Sequence, residues 1–391
     1  VIWADAPDRF EAGTPAIINV IAFAKALLMI EKQGSDVFRK DQVVANEPSA
    51  LFRDGFSDLS GVKLLNELKK HQPGMKPEVP AAGGKRRFIN LDNSASTPTF
   101  DPIAEVFKKA VQQPSTNHGV IIREVKNIIA SFLSAPEERY DIIFTTNTTE
   151  SVNMLATRLP EPAPDEAPLI LNTILEHSSN DLPWRYIPGY KVMKLPVSNE
   201  GFWETGKLEE ILRAHNGNED SRNKIRVVTV SGASNVLGSC NDLATTAALT
   251  HLYGALFVVD AAQLVAHRPI DMAAEGIDGL VFSAHKAYAP FGTGVLVIRK
   301  EAFGQGFPVD ENRTGDEENI GGIAALGKAL MLIRQIGFQT IREDETRLLR
   351  RAMQGMLTIP GLEIKGISDP GSPKMEQKTG IILIEMKNRM P

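Results

Sequence analysis

Lys286 sits where a lysine can do covalent chemistry. It closes the segment Asp278-Gly-Leu-Val-Phe-Ser-Ala-His-Lys286 and is followed by Ala-Tyr-Ala-Pro-Phe-Gly-Thr-Gly at 287–294. Residues 280–283 read as a short buried strand and residues 295–298 as a second. An ammonium placed directly after a buried strand is poorly hydrated and easier to deprotonate. A neutral amine there can form a Schiff base with an aldehyde cofactor. A lone lysine of this kind is most often just the end of a strand, so the neighbouring motifs decide.

The next is Ala255-Leu-Phe-Val-Val-Asp-Ala-Ala-Gln263. It reads as a buried strand ending in Asp260, with Gln263 three residues on. A carboxylate at the C-terminal end of a central strand points into the crevice where α/β proteins bind ligands. A pyridoxal phosphate enzyme needs a carboxylate there, to keep the pyridine nitrogen protonated and the ring an electron sink. Taken singly, such an Asp is more often a helix cap or a metal ligand.

Three further fragments lie upstream. A strand at 142–146 leads into Asn147-Thr-Thr-Glu-Ser151 and a helix-like run at 152–159. Asn147 with Glu150 three residues later resembles a capping box. Hydroxyls and free N–H groups at a helix N-terminus suit a phosphate. Next come Leu175-Glu-His-Ser-Ser-Asn180 with Pro183-Trp184, and then a strand at 227–231 leading to Ser234-Asn-Val-Leu-Gly238.

In this order the fragments resemble a class V aminotransferase of the cysteine desulfurase and selenocysteine lyase branch, a fold type I pyridoxal phosphate enzyme. Phe88-Ile-Asn-Leu-Asp-Asn-Ser-Ala-Ser-Thr-Pro98 is similar to that family's opening strand and turn. The resemblance covers roughly residues 86–391. It implies that Lys286 carries the Schiff base and shuttles protons, and that Asp260 pairs with the pyridinium nitrogen. It implies that Gln263 and Asn235 hydrogen-bond the phenolic oxygen side of the ring and that His177 stacks on its face. Thr148, Thr149, Ser283 and His285 would hold the phosphate. The resemblance further implies an amino-acid substrate and a homodimer.

Composition sets bounds. The chain has 391 residues, 42% of them hydrophobic, and a formal net charge of −5. That supports a large core in one or two domains. No basic run is interleaved with aromatics, so nucleic acid is not an expected partner. No apolar stretch reaches membrane-spanning length, and no signal peptide is seen. Cys240 is the single cysteine, which excludes an internal disulfide and a cysteine-based zinc site. A reducing cytoplasm is the natural compartment, and no metal site is expected.

The elements that must position these residues alternate. Asp101-Pro102 is a helix start, and Ile103, Val106, Phe107, Ala110 and Val111 repeat at helical spacing. Ile121, Ile122, Val125, Ile128, Ile129, Phe132 and Leu133 form another helix face. Strands are expected at 141–146, 168–171, 190–195, 225–231, 255–260, 279–283 and 294–298, with a Pro-rich acidic loop at 161–168. This alternation predicts an α/β large domain, a mostly parallel sheet flanked by helices, with an incomplete smaller α/β domain.

The N-terminal region repeats a later element. Residues 13–34 match residues 315–337 with one insertion. Ile17 meets Ile320, Lys25 meets Lys328, Ala26 meets Ala329, Leu27 meets Leu330, Ile30 meets Ile333 and Gly34 meets Gly337. In the family this helix follows the lysine. Residues 1–40 are therefore expected to be the tail of an upstream class V unit. A linker is expected at 41–85, with a short helix at Leu64, Leu65 and Leu68 and mobile turns around 72–84. Residues 86–312 would form the cofactor-binding large domain and 313–391 a partial small domain. The chain then reads as a fragment of a longer tandem protein, without the small-domain arginine and cysteine of the family's desulfurases.

Two functions compete. One is an enzyme acting on an amino acid, with desulfurase, lyase, transaminase and epimerase chemistry all open. The other is a cofactor-binding but non-catalytic module of a tandem protein. The joint presence of Lys286, Asp260 and His177 favours the enzyme. Cys240 lies five residues after Asn235 and reads as a small filler, not a nucleophile. A nucleotide-binding Rossmann protein is excluded, because Gly292-Thr-Gly294 follows the lysine and not a first strand.

Overall fold

The alternating strands and helices build one seven-stranded sheet in the computed structural model, which describes residues 17–34, 50–71, 78–81, 83–218, 221–300, 302–303 and 319–387. In chain order, α1 (Ile17–Gln33), α2 (Gly61–Leu68) and the hairpin β1 (Glu78–Ala81) and β2 (Gly84–Arg87) precede the α/β body. The body runs through α3 (Asp101–Val111), α4 (His118–Leu133), β3 (Tyr140–Thr145), α5 (Thr148–Ala156), β4 (Leu169–Thr173), α6 (Leu182–Arg185) and β5 (Lys191–Leu195). It continues with α7 (Thr205–Asn216), β6 (Ile225–Ser231), α8 (Leu243–Leu252), β7 (Leu256–Asp260), α9 (Met272–Glu275), β8 (Gly279–Ser283) and β9 (Gly294–Arg299). After these come α10 (Ile320–Ile336), α11 (Phe338–Met356), β10 (Leu362–Lys365) and β11 (Leu383–Met386).

The sheet order is β3-β9-β8-β7-β6-β4-β5. β9 runs antiparallel to both its neighbours, and the remaining pairs are parallel. Successive side chains of a strand point to opposite faces. Accordingly Val228, Val230, Phe257, Val259, Leu280 and Phe282 enter the core shared with α3, α4 and α10. Val227, Val258, Val281 and Leu296 face α5 and Trp184 on the other side. Both faces are covered, which is why these strands read as continuous apolar runs. The C-terminal ends of β6, β7 and β8 bring Ser231, Asp260 and Ser283 to one edge of the sheet.

α10 is buried nearly all round, as expected of a helix that is apolar on every face. Glycine lets it approach α3 closely. A Cβ on Gly321 would lie 2.6 Å from Val111 Cγ1 and 2.7 Å from a Phe107 ring carbon. Its one lysine, Lys328, is buried, pairs with Asp54 at 2.7 Å and donates to the Phe52 carbonyl at 2.9 Å. Gln335 donates to the carbonyls of Phe56 and Ser57.

Residues 50–71 thus differ from a free connection. The expected short helix is α2, and Leu51, Phe52, Leu64 and Leu68 join the main core. The turn at 72–77 lies outside the described residues, as do Gly13 to Ala16 and Gly315 to Glu318 of the repeat. β10 and β11 form a separate antiparallel pair over α11. Among the described residues no single helix is long and apolar enough to cross a membrane.

Candidate active site

One cavity of about 270 Å³ opens at the C-terminal edge of β6, β7 and β8. Thr148, Thr149, His177, Asn235, Asp260, Gln263, Ser283, His285 and Lys286 all line it. The nine residues named from the sequence span 139 positions of chain and meet in one place. Asp92, Ser94, Asn147, Ser179 and Ser231 line it too.

Asp260 ends the central strand β7 and is only 4% exposed. One carboxylate oxygen accepts the Ala262 N–H at 2.9 Å. Burial raises its pKa, against the Ala262 N–H and the charge of Lys286. Lys286 closes the short 3-10 turn after β8. Burial lowers its pKa, while Asp260 opposes the shift. This direction is the one expected of an amine placed directly after a buried strand.

The first turn of α5 and the end of β8 form the second wall. Asn147 caps α5, its side-chain oxygen accepting from the Glu150 N–H at 3.0 Å. The reciprocal arm of the capping box is shifted by one residue, because the Glu150 carboxylate accepts from the Thr146 N–H and hydroxyl, each at 2.7 Å. Ser283 Oγ accepts the Thr148 N–H at 2.8 Å and lies 2.7 Å from Thr148 Oγ1. Next to them, burial and, after it, the charge of Lys286 lower the His285 pKa to about 4. Its Nε2 is buried with no hydrogen-bond partner among the described residues. A buried ring nitrogen without a partner, lining the same cavity as a helix N-terminus, is placed to donate to an anion there when it carries the ring proton.

His177 is oriented by a hydroxyl chain. Thr149 Oγ1 lies 2.8 Å from Ser179 Oγ, which lies 2.9 Å from His177 Nδ1. The Ser179 N–H also donates to Nδ1 at 3.2 Å. Nδ1 is therefore the acceptor, and the proton sits on Nε2. Burial and Lys286 lower the His177 pKa, which favours this neutral ring. The preceding residue, the half-buried Glu176, accepts from Thr173 Oγ1, Asn180 Nδ2 and Ser231 Oγ at 2.6, 2.7 and 2.7 Å. Burial nevertheless raises its pKa.

Gln263 donates to the Ser94 carbonyl at 2.8 Å, tying the 92–95 turn to the end of β7. Asp92 and Ser94 carried a signal in the opening motif at 88–98 but no role. Ser179 and Ser231 sit beside residues that were singled out, and no spacing rule distinguishes them. Asn235 is held in a tight loop, where Ser234 Oγ accepts from the Val236 and Leu237 N–H groups. Cys240 does not line the cavity. Burial pushes its thiol up to about 11.

These groups fit pyridoxal phosphate. The α5 turn with Thr148, Thr149, Ser283 and the orphan His285 Nε2 suits a phosphate. The buried Asp260 suits a protonated ring nitrogen, and the desolvated Lys286 an aldehyde carbon.

Comparison with known proteins gives the same direction. The family model described as aminotransferase class-V matches residues 1–75 and 89–389. A cysteine desulfurase of Klebsiella pneumoniae is 32% identical over 266 residues, covering 62% of this chain and 63% of that protein. A cysteine desulfurase of Cronobacter sakazakii is 30% identical over 338 residues, covering 77% and 80%. The chain thus spans 63 to 64% of the length of the first three such relatives. The apo structure of a cysteine desulfurase from Thermococcus onnurineus superposes with a TM-score of 0.67 at 23% identity, covering 85% of each chain. A NifS-like protein from Rickettsia africae gives 0.60 at 22%, covering 76% and 81%. At such identities the structures speak for the fold.

Proposed function

The chain belongs to the aminotransferase class-V family, with a fold type I, cysteine desulfurase-like architecture, and from that premise we propose that it holds pyridoxal phosphate covalently on Lys286 and acts on an amino acid. The observation that carries this reading is the single cavity that joins Lys286, Asp260, His177 and the α5 N-terminus. A homodimer is part of the same reading.

When bound, the cofactor supplies an electron-withdrawing ring that stabilises negative charge on the amino acid's α-carbon. The residues divide the remaining work. Asp260 accepts the ring N–H and keeps that proton in place. Neutral His177 presents its flat face to the ring, held in one tautomer by Ser179. Thr148, Thr149, Ser283 and His285 would hold the phosphate. Gln263 and Asn235 approach the phenolic oxygen. Lys286 Nζ, with its pKa lowered by burial, takes and returns the proton at the substrate's α-carbon.

The relatives named above are cysteine desulfurases. In this chain the one thiol lies outside the cavity lining and is held protonated. The proposal therefore gives Cys240 no part in sulfur transfer.

The test is borohydride reduction of the chain after incubation with pyridoxal phosphate, followed by peptide mapping. The label should fall on the peptide containing Lys286, and Lys286→Ala should take up the cofactor only reversibly. Asp260→Asn should keep the cofactor and lose turnover over a panel of amino acids that includes cysteine and selenocysteine. A label on another lysine would refute the assignment. A labelled Lys286 without turnover of any amino acid would favour the non-catalytic binding module.

A further inference from the structure

α1 and α10 are twins in sequence and opposites in environment. They align from Ile17 with Ile320 to Gly34 with Gly337, with Lys25 opposite Lys328. In α10, Ile323, Leu326 and Leu330 are at most 1% exposed. Their counterparts in α1, Val20, Phe23 and Leu27, are 62%, 66% and 51% exposed. Every described residue of α1 from Val20 to Lys32 is exposed. We propose that α1 is the post-lysine helix of a second, non-identical class V domain, and that it docks between that domain's counterparts of α3 and α4.

The seat of α10 says what would cover α1. It is built from α3, α4 and the 50–59 segment. It accepts a helix that is apolar on every side and contains one lysine, because Asp54 lies 2.7 Å from Lys328 Nζ. A helix with the same apolar positions and a lysine in phase calls for the same kind of seat, including a carboxylate for Lys25. In water, α1 would leave Val20, Ile21, Phe23, Leu27 and Leu28 uncovered, an apolar surface of the kind that marks a protein partner.

The steric details exclude this chain's own seat and that of a second copy. Position 321 is glycine in α10 and its counterpart is Ile18. A Cβ there already lies 2.6 Å from Val111 and 2.7 Å from Phe107. Position 322 is glycine and its counterpart is Asn19, where a Cβ would lie 2.3 Å from Thr293 Oγ1. Position 327 is glycine and its counterpart is Ala24, where a Cβ would lie 2.9 Å from Val125. Contacts this short require the neighbouring groups to shift, and a branched side chain adds to the clash. The receptor of α1 therefore has smaller residues at the positions of Val111, Phe107 and Val125. It is a related domain and not a second copy.

Two experiments test this. In the full chain, a photo-crosslinking benzoylphenylalanine at the exposed Phe23 position is activated in cells of the natural host and the adducts are mapped by mass spectrometry. The expected adduct is on a class V domain whose sequence differs from residues 101–133, at the helices corresponding to α3 or α4, and Lys25→Glu abolishes it. Adducts on this chain or a second copy, on lipid or on an unrelated protein, or no adduct at all, overturn the proposal. In the second experiment, residues 320–336 are replaced by the sequence of residues 17–33. The melting temperature should fall, and restoring glycine at the two positions occupied by Ile18 and Asn19 should recover most of it. A transplant as stable as the parent would overturn the steric argument.

Discussion

The hydroxyls of Ser283 and Thr148 lie 2.7 Å apart, although 135 residues separate them in the chain. Ser283 is the last residue of β8 and Thr148 the first of α5, and Ser283 Oγ also accepts the Thr148 N–H. This pair fixes the end of the lysine-bearing strand against the helix turn that lines the same cavity. Neither residue reaches this geometry by local structure.

Ser283→Ala should therefore leave a buried N–H without its acceptor and destabilise the chain by about 1–3 kcal/mol. Thr148→Ala loses only one side of the hydroxyl pair. Urea unfolding of both single variants and the double variant should give a coupling of about 0.5–3 kcal/mol. Strict additivity would mean that the pair is not an energetic unit.

Gly294 opens β9 where the backbone of α5's cap passes. A Cβ there would lie 2.6 Å from Asn147 Cα and 2.6 Å from Thr145 Oγ1. Gly294→Ala should destabilise by about 1–3 kcal/mol through overpacking and weaken pyridoxal phosphate uptake by displacing Asn147. Gly206→Ala, in the helix α7 with nothing within 4 Å of the new methyl, is the control and should be neutral or slightly stabilising. Equal behaviour of the two variants in thermal melts would contradict the packing argument.

The His285 pKa, lowered from 6.5 to about 4, sets a pH dependence for the cofactor-free chain. Between these values the unfolded chain binds more protons than the folded one, so stability rises with pH across the window. It is fully present above about pH 6.5 and is lost as pH falls towards 4. The full span is on the order of 3 kcal/mol. His285→Asn should flatten that part of the curve. Urea midpoints at pH 4.5 and 7.5 that change equally in parent and variant would show that His285 carries none of it.

Cys240 should be slow to alkylate. With its thiol pushed up to about 11, the thiolate fraction near pH 7.5 is on the order of one in a thousand or less. Iodoacetamide should react at least ~10-fold faster with the urea-unfolded chain than with the folded one. Reaction at the rate of an ordinary exposed thiol would restore Cys240 as a candidate nucleophile.

Local pattern determined much about this protein. Continuous apolar runs ended by Asp260 and Ser283 marked buried strands, because a strand covered on both faces has no polar side to show. Asn147 announced the start of α5, because capping needs only residues three apart. The order of motifs between residues 88 and 294, through the family resemblance it carries, named nine of the residues that line the cavity but not Asp92, Ser94, Ser179 or Ser231.

What folding alone decided are the relations between distant segments. That β9 sits between β3 and β8 follows from whole-sheet packing and not from its own sequence. Lys328 reads as an anomaly in an apolar helix until Asp54, 274 residues earlier, is brought to 2.7 Å. Ser179 and Ser94 are ordinary loop residues until one orients His177 and the other receives Gln263. The same helical pattern is buried in α10 and exposed in α1. Amphipathic and apolar signals state what a segment must bury, and only the tertiary structure supplies the surface that buries it.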